Sequence, residues 1–499
     1  MNRPPRRLAV NRPPRRLSVM TRRRFLYTAG LAAAVAACGP SNNPQTPDEE
    51  AAAGGGAASP GASPAAGAGA PEVAFSEPAS ALSGDLSILL WSHFVPQHDS
   101  WFDPFVKEWG ERVGVNATVD HINTAEVPAR IAAEIGAGQG HDLIQHIAPL
   151  SQYEPSVVDM TDVVDEARRR FGDQVDLCRR SSFNPTTEKF YAYAPAWVPD
   201  PGDYRRSLWE QAGLPDGPTT WDELLEGGAE IMESTDTQLG IGMSQEIDSN
   251  MAARALMWSF GASIQDENEN VVINSDQTIA AVEHMKQLFD RTMTPEVFAW
   301  NAASNNQGLV SGELSYILNS ISGYRTAQQS NPEVADDTFF VPALRGPETG
   351  LAATHVMYNW IIPEYSPNVD AAKEFLLHYT ANLARVCYES QLYDYPAFPE
   401  LVPQLDDWLS DDPFGSQPPD KLAVLRFEPT LEWSTNMGHP GPANPAEGEV
   451  FGTFVIPNMM ARVARGQQDP AESVAQAESE IIPIFEKWRR DGLIGGGSA

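Results

Sequence analysis

Between Leu86 and Ile147 the apolar residues change period four times, and that alternation restricts the chain to few folds. Leu86–Trp91 is a short continuous apolar run, the pattern of a buried strand. Phe102, Phe105, Val106 and Trp109 then recur at i, i+3, i+4 and i+7, the spacing of one helix face. Val115, Ala117 and Val119 alternate with Asn116, Thr118 and Asp120, the period of a half-buried strand. Val127, Ile131 and Ile135 mark a second helix, closed by Gly136 and Gly138, and residues 142–147 read as a third strand. The order β-α-β-α-β predicts an α/β protein with parallel strands joined by right-handed crossovers. Ligands of such sheets sit beyond the carboxyl ends of the strands. Trp91, Ser92, His93 and His146 therefore fall on the expected binding rim.

Later segments continue the alternation. Thr220-Trp221-Asp222-Glu223 has the form of a capping box opening a helix through Leu224, Leu225 and Ile231. Ile279, Val282, Met285 and Phe289 line one helix face, and Ala372, Phe375, Leu376 and Tyr379 another. Residues 461–488 predict a final helical region interrupted at Asp469-Pro470. Residues 39–82 are rich in Ala, Gly, Pro and Ser and cannot bury a core. They read as a flexible tether with an r.m.s. reach of roughly 30–40 Å. The body runs from near Asp85 to about Gly492, longer than one ordinary core, so two lobes are expected.

Ahead of the tether lies an address. Arg22, Arg23 and Arg24 precede an apolar stretch over 25–37, about 13 residues, where spanning a bilayer takes about 20. Val35-Ala36-Ala37-Cys38 follows, small residues before the one thiol there that can accept a diacylglycerol. The stretch resembles a twin-arginine export signal ending in a lipobox, with Arg22 and Arg23 as the pair. That resemblance implies a chain exported after folding and held by lipid on Cys38, at the outer face of the cytoplasmic membrane or in the periplasm. Residues 2–8 recur as 11–17, which reads as upstream sequence translated in frame, with Met20 as the start. Residues 1–37 thus read as a leader outside the folded body.

Charge narrows the partners. Nine of the 34 Lys and Arg precede Cys38, leaving 25 against 67 acidic residues and a net charge near −42. Such a surface repels nucleic acid and anionic head groups. Cys178 and Cys387 are the only thiols beyond Cys38; nothing in the sequence says they meet, and isolated buried thiols are favoured over a bridge. No Cys/His cluster has zinc spacing, the nine histidines are scattered, and no metal or cofactor is expected. There is no G-x-S-x-G, H-E-x-x-H, P-loop or G-x-G-x-x-G. The positive signal is aromatic: 12 Trp, 13 Tyr and 20 Phe, several near expected turns or strand ends. An aromatic ring covers the C–H face of a sugar while Asp, Glu, Asn and His bond its hydroxyls. Trp91, Trp197, Trp258, Tyr324, Tyr358, Trp360 and Trp433 are candidates, each weighed against simple core packing.

The stretch from Asp203-Tyr204 through Trp209-Glu210-Gln211-Ala212-Gly213-Leu214-Pro215 to Thr219-Thr220-Trp221-Asp222-Glu223-Leu224 resembles family 1 extracellular solute-binding proteins of ABC importers. It departs where the family's Tyr-Asn-Lys is Tyr204-Arg205-Arg206. Residues 190–195, 261–264, 308–314 and 366–376 agree with the family in order, so the resemblance spans about residues 85–490. It implies a two-lobed periplasmic-binding fold, each lobe a mostly parallel sheet flanked by helices, with a ligand cleft between. By that analogy residues 83–192 plus 343–380 form lobe one, and 193–342 plus 381–492 form lobe two. Trp91 and His93 then occupy the loop after the first strand, and Glu246 follows a strand expected over 239–244. Tyr324 stands where the family often has Trp, and Phe451 lies near a late cleft aromatic. The implied function is a monomeric, non-enzymatic receptor that takes a small-molecule solute, a sugar or oligosaccharide, to ABC permease subunits. The alternatives are a polyol phosphate or polyamine receptor, or a secreted glycan-degrading enzyme with two carboxylates about 5–10 Å apart.

Overall fold

The computed structural model describes residues 69–148 and 151–495. The expected export signal, with Arg22, Arg23 and Cys38, lies outside the described residues. The alternation near the N-terminus forms β1 (Gly84–Trp91), α1 (Pro96–Val113), β2 (Val115–Ile122), α2 (Val127–Ala137) and β3 (Leu143–His146). β1 pairs in parallel with both β2 and β3, so it is a central strand, and Ile88, Leu89, Leu90 and Trp91 are buried. α1 turns Phe102, Phe105, Val106 and Trp109 inward, as its spacing requires, and ends at Gly114 with φ 80°. Its Gly110 is where the helix crosses β2, since a Cβ there would lie 2.6 Å from the Val115 carbonyl oxygen.

The first sheet is completed by residues Asn359–Ile361, antiparallel to β3, giving the order 359–361, β3, β1, β2. A second four-stranded sheet has the order Thr338–Val341, Gly202–Arg205, Leu314–Leu318, Gln238–Gly240. Only its 238–240 and 314–318 strands are parallel; the other two pairings are antiparallel. The antiparallel strands are those through which the chain enters and leaves the sheet, and no βαβ crossover constrains their direction. The strand expected over 239–244 is shorter than its apolar pattern, because the chain turns away at Ile241 toward the helix Ile247–Ser259.

Between these sheets the chain crosses in extended segments. Ala196–Val198 is the middle of a three-stranded sheet, flanked by Val356–Met357 and Tyr395–Pro396. Ala352–Ala353 pairs with Ser434–Thr435. Residues far apart in sequence thus meet at the crossings. The end of the expected tether is bound to the body: Asn382 receives the Ala74 N–H at 2.7 Å and donates to the Ala74 carbonyl at 2.8 Å. Cys178 and Cys387 are buried free thiols, both pushed up by burial. Among the described residues no helix is long and apolar enough to cross a membrane.

The capping box forms with one change. The Thr220 hydroxyl accepts from the Glu223 N–H at 3.0 Å, opening the helix Trp221–Thr235. The Glu223 carboxylate reaches one residue further back than expected, accepting from the Thr219 N–H and hydroxyl, each at 2.7 Å. Thr220→Ala should cost about 1 kcal/mol, read as a lower urea midpoint. An unchanged midpoint would show that the cap contributes nothing to stability. The interruption at Asp469-Pro470 separates the helices Val455–Ala464 and Pro470–Arg490, and Asp469 caps the second by accepting from the Glu472 N–H.

Candidate ligand-binding site

The carboxyl end of β1 carries Trp91 into a stack of rings. Its ring centroid lies 4.9 Å from that of His93 and 6.2 Å from that of Tyr358, at interplanar angles of 21° and 26°. Phe94 closes a further side at 4.8 Å. His93 Nε2 is 2.9 Å from the Tyr358 hydroxyl, which donates to Asp394 Oδ1 at 2.5 Å. His93 Nδ1 sits between the Val95 N–H at 2.9 Å and the Val95 carbonyl at 3.1 Å. Three of the residues singled out from the sequence, Trp91, His93 and Tyr358, are therefore one cluster, and all three are buried.

The crossing segments bring carboxylates close by. His355, whose ring lies 6.3 Å from that of Phe94, has its Nδ1 3.1 Å from Asp200 Oδ1 and so joins two crossings. Asp203 follows on the strand Gly202–Arg205; burial, then Asp200, pushes its carboxyl well up. Glu246 caps the helix Ile247–Ser259, accepting from the Asp248 N–H at 2.7 Å and the Ser249 N–H at 2.5 Å. Burial raises Glu246, and burial, then Glu246, then Asp200 raise Asp248. Several polar atoms in this region have no hydrogen-bond partner among the described residues: Asp200 Oδ2, both Asp203 carboxylate oxygens, the Tyr316 and Tyr393 hydroxyls and Asp394 Oδ2. Buried polar groups are rarely left unpaired, because each costs about 1–3 kcal/mol.

A second aromatic group borders the same crossing. Trp258 and Phe451 pack with Ala148, Met251, Ala353 and Met437, and Arg254 lies 5.7 Å over the Phe451 ring. The segment 352–358 thus touches both groups, with Ala353 in one and Tyr358 in the other. Other expected residues stand elsewhere. Trp197 is fully buried, packed on Tyr395 at 5.3 Å and Phe427 at 6.1 Å. Tyr324 packs edge-on to Phe340, and its hydroxyl donates to Ser416 at 2.7 Å. Trp360 is a core ring against Phe102 and Tyr379, and Trp433 is buried at the end of the helix Phe427–Trp433.

His146, at the end of β3, accepts from the Ala148 N–H, and burial lowers its pKa to about 4. Its folded value lies below its ordinary 6.5, so the unfolded chain takes up this proton first as pH falls. The stability advantage of the wild type over His146→Gln should be full above pH 6.5 and shrink toward about pH 4. Urea titrations of both proteins across that range check it; a constant difference would refute it.

Sequence reasoning missed His98, His355, Asp200, Asp203, Asp248 and Asp394. The spacing of His98, five residues after His93, is a weak local signal, but Asp394 has none. His93, His98 and Asp394 each offer a ligand atom within 4.8 Å of the others, an arrangement able to hold a metal ion. Burial, then His93, lowers the pKa of His98.

A family model described as bacterial extracellular solute-binding protein matches residues 95–382. A candidate binding protein of Brucella abortus (strain 2308) is 27% identical over 92 residues, 18% of this chain, and the match spans only 22% of that protein's length. The solved structures with similar folds include a candidate oligosaccharide periplasmic-binding protein of Synechococcus sp. MITs9220 in complex with zinc. Its TM-score is 0.68 at 19% identity, over 81% of this chain and 99% of that one. A sugar transporter of Arthrobacter chlorophenolicus A6 with bound laminaribiose has a TM-score of 0.66 at 15% identity, over 80% and 98%. Maltose-bound MalE3 of T. maritima has a TM-score of 0.66 at 18% identity, over 80% and 99%. These likenesses establish the fold, a two-lobed periplasmic-binding architecture.

Proposed function

Because the chain belongs to the bacterial extracellular solute-binding proteins, we propose that it is the lipid-anchored receptor of an ABC importer for a sugar or oligosaccharide. One observation carries the reading: the ring stack beyond the carboxyl end of β1 includes Tyr358 of one crossing segment, and Asp200 on another crossing keeps a buried carboxylate oxygen with no hydrogen-bond partner among the described residues. Rings cover the apolar face of a sugar, and carboxylates and hydroxyls accept and donate around its rim. No bond is made or broken. Solute binding shifts an open–closed equilibrium about the crossings.

Residues 83–192 plus 343–380 and residues 193–342 plus 381–492 serve as the two lobes, and the permease reads their closed arrangement. Lipid on Cys38 holds the receptor beside its transporter. A polyamine is the second reading, favoured by the buried carboxylates of Asp200, Asp203, Glu246 and Asp248. A thermal-shift screen against oligosaccharides, polyols and polyamines decides between them. A solute at 100 times its Kd adds about 2.7 kcal/mol. Stabilisation by sugars alone supports the proposal; stabilisation by polyamines alone, or release of reducing sugar from a glycan, overturns it.

A further inference from the structure

We propose that His93, His98 and Asp394 form a binding site for a single divalent transition-metal ion, of which Zn²⁺ is the natural probe. The three residues come from the loop after β1, the first turn of α1 and the segment before Tyr395–Pro396. His93 Nε2 lies 3.4 Å from Asp394 Oδ1, and His98 Nε2 lies 4.0 Å from Asp394 Oδ2. Donor atoms around tetrahedral zinc are about 3.3 Å apart, given Zn–N distances of about 2.0–2.1 Å. The two imidazoles stack with centroids 4.3 Å apart at 21°, so the His98 ring has to turn out of the stack for both Nε2 lone pairs to converge on one ion.

The surroundings favour an ion over a purely hydrogen-bonded cluster. The His93–Tyr358–Asp394 chain satisfies one carboxylate oxygen, but among the described residues both His98 ring nitrogens and Asp394 Oδ2 have no hydrogen-bond partner. His98 is 2% exposed and Asp394 fully buried. An oxygen lies behind each histidine: the Val95 carbonyl is 3.1 Å from His93 Nδ1, and Asp99 Oδ1 is 3.5 Å from His98 Nδ1, within reach of a hydrogen bond once the ring turns. Metal-bound histidines generally have such a partner, which fixes the tautomer and leaves Nε2 free for the ion. In this structure the Val95 N–H donates to His93 Nδ1 at 2.9 Å, so binding the ion through Nε2 requires the ring to give up that bond, direct an Nδ1 proton to the Val95 carbonyl and exchange the Tyr358 contact for the ion. Asp99 also accepts from the His93 backbone N–H at 2.9 Å, tying the loop bearing His93 to the first turn of α1. Two imidazoles and a carboxylate suit zinc or a neighbouring transition ion better than Mg²⁺ or Ca²⁺, which prefer oxygen. The ion would tie the loop bearing His93 to the segment at the crossings, independently of which solute the protein takes.

The test uses the mature chain after chelation, titrated with Zn²⁺ in excess Mg²⁺ to suppress binding to the acidic surface. The expected result is uptake of one equivalent, with Co²⁺ giving the intense visible bands of a four-coordinate site. His98→Gln and Asp394→Asn should each weaken binding by more than about 100-fold, and Asp99→Asn by about 10–100-fold. Far-UV circular dichroism reports whether each variant is folded; if Asp394→Asn is not, His98→Gln and the wild-type Co²⁺ spectrum decide. Absence of stoichiometric uptake, or equal affinity in His98→Gln, overturns the proposal.

Discussion

Arg325→Met is expected to destabilise the protein by about 3–5 kcal/mol, because it strands a buried carboxylate. The Arg325 guanidinium donates to both oxygens of Asp412, at 2.7 and 3.1 Å, and to the Gln391 carbonyl at 3.0 Å. The two side chains are 2% and 0% exposed. Burial alone would raise Asp412, but the Arg325 charge and hydrogen bonds outweigh it and hold the carboxyl below its ordinary 3.8. A depressed folded value means that this stabilisation is complete above pH 3.8 and is lost as pH falls through the folded value. The cost of Arg325→Met should therefore be large at pH 7 and diminish in strong acid. Denaturation in urea at several pH values measures it. A cost below about 1 kcal/mol at pH 7 would show that Asp412 finds water or another partner.

Trp91→Ala is expected to lose about 3–5 kcal/mol of stability, the range for deleting a buried aromatic ring. Trp91 is 1% exposed and packs on Phe94, His93 and Tyr358. If the stack also faces the solute, affinity falls as well, by about 0.5–1.5 kcal/mol on the scale of one aromatic contact. Calorimetric unfolding and solute titration separate the two effects. A stability loss with unchanged affinity would assign Trp91 to the core alone.

The elements nearest the N-terminus are legible in the sequence because their signals are local. Helix spacing in α1 and alternation in β2 depend on residues a few positions apart, and the structure places those residues as the patterns require. The Thr220 cap is legible for the same reason, although the Glu223 carboxylate takes Thr219 as its partner. The site is only partly legible. Trp91 and Trp197 look alike in sequence, each apolar and near a strand end. One lies in a stack with His93 and Tyr358, the other against Tyr395 and Phe427. Which environment a ring enters depends on strands contributed from distant parts of the chain.

By itself the sequence determined the α/β class, the alternation of elements, the acidic surface and the family likeness carried by residues 203–224. Each follows from composition or from residues close in the chain. Only the tertiary structure decided that His93, His98 and Asp394 meet, that Asp200 pairs with His355 and that Trp258 joins Phe451. Most of those contacts join segments far apart in the chain, and such a meeting through space leaves no periodic trace along the sequence.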